Sequence, residues 1–336
     1  MTRSPFKSLV AWHEVVLLGV LVVEWLVFNY TGRRFGTLDN SFDILRHSCE
    51  IGLLALAMTA VVLTGGIDLS VGSLLGLCAV IFGKLWRDAH LPIGLAMGLT
   101  LLAGTLAGSF NATLITRLRL PPLIVTLGTF SLFRGLAEAL TRGADTFTDF
   151  PASFLSLGQD RWLGLPAQMP VLLAFTVGFW LLIHQTTFGR SFRAIGFAPE
   201  NARYAALPVD RRLFLVYALA GFTAAVAAIL YSARLGQAKA DAGTGYELFA
   251  ITAVVLGGTS IFGGIGTIHG TLLGVAAIAM LNNGLVHARQ PREVAGLLTG
   301  VLLILSLTGS AYLKKLALKR TRWQSNSASA QTSIQA

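Results

Sequence analysis

Apolar residues in this chain come in blocks close to the ~20-residue length needed to cross the hydrocarbon core of a bilayer. Ten such blocks run approximately over 11–29, 44–64, 71–87, 91–116, 122–141, 170–185, 212–232, 246–262, 268–287 and 292–311. A water-soluble fold has no use for so much apolar side chain: 54% of the 336 residues are hydrophobic and 12% charged, against roughly 45–50% and about 25% in ordinary soluble domains. The expected fold class is all-α, a polytopic membrane helical bundle of about ten transmembrane helices. The N-terminal run MTRSPFKSLVAWHEVVLLGVLVVEWLVF has the charge pattern of a secretory signal. No small-residue cleavage site precedes Asn29 and Tyr30, so it reads as an uncleaved first span.

The net charge of +10 does not indicate nucleic acid, because the Lys and Arg residues sit between apolar blocks and form no basic face with interleaved aromatics. Topology explains them better. With the N-terminus inside, the loops 117–121 and 186–211 and the basic tail after Tyr312 all fall on the cytoplasmic side, as the positive-inside rule asks. Residues 1–10 then form a cytoplasmic N-terminus, 11–312 the transmembrane domain, and 313–336 a basic and then disordered cytoplasmic tail. Residues 142–169 are the longest external connection.

Two places interrupt apolar sequence with Gly and polar residues, LTGGIDLSVGSLLG (63–76) and LGGTSIFGGIGTIHGTLLG (256–274). Each follows an Ala-Val-Val-Leu run and opens with a Gly-Gly pair, a faint internal repeat of the kind transporters show. Asp68 lies within the first break, where an unpaired carboxylate is costly and ionisable residues are functional candidates. It also fits as N-cap of the next helix, accepting the amide of Ser70 or Val71, and that structural role is the expectation adopted. Glu14 and Glu24 fall in the first block, with packing or pairing roles expected. Gly94, Gly98, Gly104 and Gly108 permit close helix approach.

The chemistry of an enzyme is missing from the sequence. There is no HExxH, GxSxG or Walker A motif, the six histidines are scattered, and Cys49 and Cys78 have no ligand spacing. No catalytic, metal or cofactor residue is assigned. The loop 186–211 is polar and basic, with a short helix expected after Pro199 whose first turn holds Glu200, Asn201 and Ala202. A soluble partner or the lipid headgroups could take it.

Five segments, in order, carry a resemblance. They are Gly65-Gly66-Ile67-Asp68-Leu69-Ser70-Val71-Gly72-Ser73; Pro121 to Thr129 (PPLIVTLGT) followed by Arg134-Gly135; Gly189-Arg190-Ser191-Phe192-Arg193-Ala194-Ile195-Gly196; Gly245-Tyr246-Glu247-Leu248; and Ala253 to Ser260 (AVVLGGTS) followed by Gly263-Gly264. Over about 42–310 the chain resembles permease subunits of the ribose, xylose, rhamnose and autoinducer group of bacterial ABC importers. The resemblance implies an inner-membrane permease paired with a second copy or a paralogue, supplied by a periplasmic sugar-binding protein and driven by two cytoplasmic ABC ATPase subunits.

It also implies that 189–211 is the ATPase-coupling loop, with Gly189, Arg190, Arg193, Gly196, Glu200, Asn201, Ala202 and Arg203 as its candidate residues. Gly65, Gly66, Asp68, Ser70 and Gly72 form the broken-helix motif, and Asn111, Thr126, Thr129 and Glu247 are candidates for the translocation path. Asn111, Thr126 and Thr129 could equally bond helix to helix. The chain departs from the family in the loop, reading Phe197-Ala198-Pro199-Glu200-Asn201-Ala202 for a usual Gly-Asn-Pro-Glu-Ala-Ala, and Ala206 for a usual Gly. The expected solute is a monosaccharide such as rhamnose or ribose, or a sugar-like autoinducer. An ion-coupled secondary transporter of a small polar solute is the alternative.

Overall fold

The computed structural model describes residues 5–305, apart from 33, 163, 292 and 293, together with residue 308. The tail 313–336 and the end of the last apolar block lie outside the described residues. In chain order the helices are α1 (Pro5–Thr31), α2 (Leu38–Leu63), α3 (Val71–Arg87), α4 (Ile93–Arg117), α5 (Pro122–Leu140), α6 (Ala152–Gln159), α7 (Met169–Trp180), α8 (Thr187–Phe197), α9 (Pro199–Tyr204), α10 (Val209–Leu235), α11 (Tyr246–Leu256), α12 (Ile268–His287) and α13 (Val294–Leu305). A π-helical turn, Leu181–Gln185, extends α7, and a two-strand hairpin pairs Arg161–Trp162 with Leu165–Pro166.

Among the described residues each of the ten apolar blocks contains a helix, but only six helices are long and apolar enough to cross a membrane by themselves: α1, α2, α4, α5, α10 and α12. A seventh follows if α7 and α8, bent by 69° at Thr186, are taken as one broken span. The shortfall lies in α3 (17 residues), α11 (11 residues) and α13. The block 246–262 includes the second Gly-rich break, so its apolar composition outruns its helix.

Local chemistry sets the ends. Thr37, Thr186 and Thr267 are N-caps whose hydroxyls accept the amides of Asn40, Phe188 and Gly270. Pro122 and Pro199 occupy first helical turns, where a missing N–H costs nothing.

The core is built on α2 and α10. Every residue of α2 from Ser48 to Leu63 is buried, and α10 is buried from Ala227 to Ala233. The α4–α10 crossing rests on missing side chains. A Cβ on Gly104 would strike Ala225, and one on Gly108 would overlap the Tyr217 carbonyl and Gly221. Lipid offers no hydrophobic drive between helices, so such backbone approach supplies the packing. Gly94 and Gly98 face open space. Helix α1 lies at the edge against α12; its Glu14 accepts a hydrogen bond from Thr267 Oγ1 at 3.1 Å.

Candidate functional site

The break after α2 is built from the residues the sequence singles out. Gly65 turns the chain at φ +82°, a left-handed conformation that costs most residues a Cβ clash. Asp68 is 2% exposed. Its Oδ1 accepts the Ser70 amide at 2.9 Å and the Ser70 hydroxyl at 2.6 Å, and Ser70 Oγ in turn accepts Asn111 Nδ2 at 2.9 Å. The expected amide is the one bonded, but the residue at the N-cap position is Ser70, because Leu69 still belongs to the turn. Asp68 therefore holds α3 through Ser70 and reaches α4 through Asn111.

The other path candidates divide. Thr126 Oγ1 donates to the Ile67 carbonyl at 3.0 Å, pinning α5 to the same break, while Thr129 bonds within its own helix to Val125. Asn111 and Thr126 thus join helices to the broken segment.

The two Gly-rich breaks meet. Gly264 N donates to the Leu63 carbonyl at 2.9 Å, and Thr59 and Thr271 share a hydroxyl–hydroxyl bond of 2.7 Å between α2 and α12. Gly196 of α8 sits on this junction. A Cβ there would overlap the Leu63 carbonyl, and would crowd Gly264 N and Gly263 Cα. Arg193 reaches back to the carbonyls of Ile183 (3.2 Å) and Gly266 (3.4 Å). The polar loop 186–211 thus holds the short helix expected after Pro199, α9, and before it a second helix, α8, seated on both breaks.

Within that pair the candidate residues face different ways. Arg190, Glu200, Asn201 and Arg203 are exposed, as are Phe197 and Tyr204, while Gly189 and Ala202 are buried. Ala202 packs with Ile195 and Val209. Helix α9 begins at Pro199 with Glu200 in its first turn, as expected, and Arg203 pairs with Asp210 at 3.0 Å.

On the opposite side of the fold, the chain after α10 does not stay at the surface. Ala238 pairs with Phe147, whose ring lies against Gly83 of α3. The Ala240 and Ala242 carbonyls lie against Gly76, and the Gly243 carbonyl and the Glu247 carboxylate lie against Gly72. Gly72, Gly76 and Gly83 share one face of α3 by their helical spacing, so the segment 238–247 descends a groove that side chains would close. At about 1.5 Å per residue, Gly76 lies about 16 Å and Gly72 about 22 Å below Arg87 at the end of α3. Glu247 is 7% exposed. Arg134 of α5 donates Nη1 to the Ala240 and Ala242 carbonyls.

Two further polar residues escaped the sequence reading. Glu50, fully buried in α2, pairs with Arg234 of α10. No local pattern announces them; their partnership spans 184 positions. Arg134 stands in a quoted motif but was not singled out as a site residue.

Broken helices that meet in the bundle, half-length helices and six helices long and apolar enough to span make this a polytopic helical membrane protein. The chain belongs to the family described as branched-chain amino acid transport system, permease component, which matches residues 40–307. It is 39% identical over 301 residues, 88% of this chain and 91% of the relative, to an autoinducer 2 import system permease protein LsrD of Yersinia enterocolitica. It is 40% identical, with 88% and 91% covered, to the LsrD protein of Escherichia coli strain K12 / DH10B. No solved structure matches the chain. The resemblance read from the five motifs is upheld: this is a multi-pass permease subunit of an ABC importer of the sugar-transporting group, a type that works with ATPase and solute-binding partners.

Proposed function

We propose that this permease carries a sugar-like autoinducer, with ribose or rhamnose as the other candidate cargo, from periplasm to cytoplasm, and that ATPase subunits drive it through α8 and α9. The observation that carries the reading is the seat of α8. Gly196 presses on the Leu63 carbonyl at one break and on Gly263 and Gly264 at the other, while Arg190, Glu200, Asn201 and Arg203 face outward. A partner gripping the exposed side would move both breaks, which is what alternation between outward-open and inward-open states needs.

In this reading 186–211 is the cytoplasmic coupling segment, 11–312 the permease domain, and both termini are cytoplasmic. A second permease, a copy or a paralogue, completes the channel. The autoinducer assignment draws on the relatives, whose names describe autoinducer 2 import.

The test is uptake of autoinducer 2, D-ribose and L-rhamnose by cells expressing the chain with its partner subunits. Import of one of the three that fails when the ATPase's nucleotide-binding lysine is replaced supports the proposal. Import that survives this change and collapses with the proton gradient would assign an ion-coupled transporter instead.

A further inference from the structure

Glu247 Oε2 and Arg134 Nη2 are both shielded from solvent and neither has a hydrogen-bond partner. They lie against neighbouring turns of the same α3 face: the Glu247 carboxylate against Gly72, and Arg134 Nη1 within 2.8 Å of where a Cβ on Gly76 would stand. Those positions are one helical turn apart, about 5–6 Å, yet no ion pair within 4.0 Å joins the two side chains. Opposite charges therefore stand on neighbouring turns of one α3 face without direct contact, each with one hydrogen-bonding atom unused.

Such an arrangement is costly, since an unpaired charge at membrane depth is retained where it faces a protein cavity or a pathway. With the charged end of α3, Arg87 and Asp88, placed at the membrane edge, a position about 16–22 Å below it lies well inside a hydrocarbon core about 30 Å thick, a depth that suits a pathway. The backbone beside it is irregular, and non-helical chain at that depth is tolerated only when buried in protein or lining a polar cavity. The surrounding glycines and carbonyls add acceptors and no side-chain bulk.

We infer that Arg134 and Glu247 form an occluded subsite for the hydroxyl groups of the transported solute, a small neutral polyol or hydroxylated carbonyl compound. The inference rests on the proposed import function. Guanidinium Nη2 donates to a hydroxyl oxygen, and Glu247 Oε2 accepts from a hydroxyl proton, so a pair of neighbouring hydroxyls closes the gap with both charges satisfied. An anion would be repelled by Glu247 and a cation by Arg134, so the subsite selects for neutrality. Direct closure of the carboxylate onto the guanidinium would release the solute.

The experiment measures initial uptake of radiolabelled autoinducer 2, D-ribose and L-rhamnose by cells carrying the full importer with wild-type chain, E247Q, R134K or R134Q/E247Q. Membrane abundance and co-purification of the ATPase are quantified for each. Lys84→Gln is the control, because Lys84 pairs with exposed Asp88 at the end of α3, away from the subsite. The expected result is at least a tenfold fall in maximal rate for the cargo that the wild type imports, with assembly retained and K84Q unaffected.

The double variant leaves no uncompensated charge, so it remains informative if a single variant does not fold; it is expected to assemble and to lose import. Wild-type rates in E247Q or in R134Q/E247Q would overturn the subsite and leave the import function standing. No uptake of any of the three compounds by the wild type would overturn the function and the subsite together.

Discussion

Glu50 and Arg234 form an ion pair inside the bundle, with Oε1 2.8 Å from Nε and the two side chains 0% and 9% exposed. Arg234 Nη1 also meets His47 Nδ1 at 3.1 Å, and its guanidinium lies over the Tyr231 ring at 5.6 Å. The pair binds α2 to α10, the two helices at the centre of the core. Removing one partner strands a buried charge, which typically costs about 3–5 kcal/mol, whereas replacing both with apolar residues of similar size can be neutral. Glu50→Ala is expected to lower the unfolding temperature in detergent sharply. Glu50→Met with Arg234→Met is expected to recover most of the loss; equal losses in both would refute a charge-based account.

At the junction of the two breaks, Gly196→Ala places a methyl group into the Leu63 carbonyl and against Gly263. Backbone cannot swing aside as a flexible side chain can, so overpacking of about 1–3 kcal/mol or more is expected. Gly94→Ala, with open space around it, is the matched control and is expected to be silent. Folded yield after purification reads both.

Ala206 holds φ +57°, a left-handed conformation in which glycine carries no Cβ penalty. A left-handed alanine costs roughly 1–2 kcal/mol. Ala206→Gly is therefore expected to stabilise the α9–α10 connection, less the entropy that glycine gives the unfolded chain. Hydrogen exchange across 199–209 is expected to slow; faster exchange would show that the strain is not relieved.

Replacing Glu200, Asn201 and Arg203 together by alanine removes polar groups from the exposed side of α9 and leaves Ala202 and its packing untouched. Association with the ATPase subunit is expected to fall severalfold in a pull-down, with membrane abundance unchanged. Undiminished association would move the docking surface away from α9.

Much of the fold was legible because bilayer thickness imposes its length on the sequence. The same signal failed at α11. Hydropathy over 246–262 does not distinguish a span from an 11-residue helix running into a Gly-rich break, and the descent of 238–247 along α3 depends on Gly72, Gly76 and Gly83 lining up on a helix whose neighbour is remote in sequence. Asp68 was legible since its partner, Ser70, is two residues away. Glu50 was not, since nothing near it in the chain hints at Arg234. The short helix after Pro199 follows from the proline itself; α8 before it is less legible because only four of its 11 residues, Gly189, Ser191, Phe192 and Ile195, are buried, and two of those are small.

Gly196 touches two separate stretches of main chain with nothing but its own backbone between them. A lever with no padding at its fulcrum has no play: any shift of α8 is delivered undamped, and at the same instant, to the end of α2 and to the break between α11 and α12. A mechanism of this kind gives up tolerance for timing, and its failure under mutation should be abrupt rather than graded.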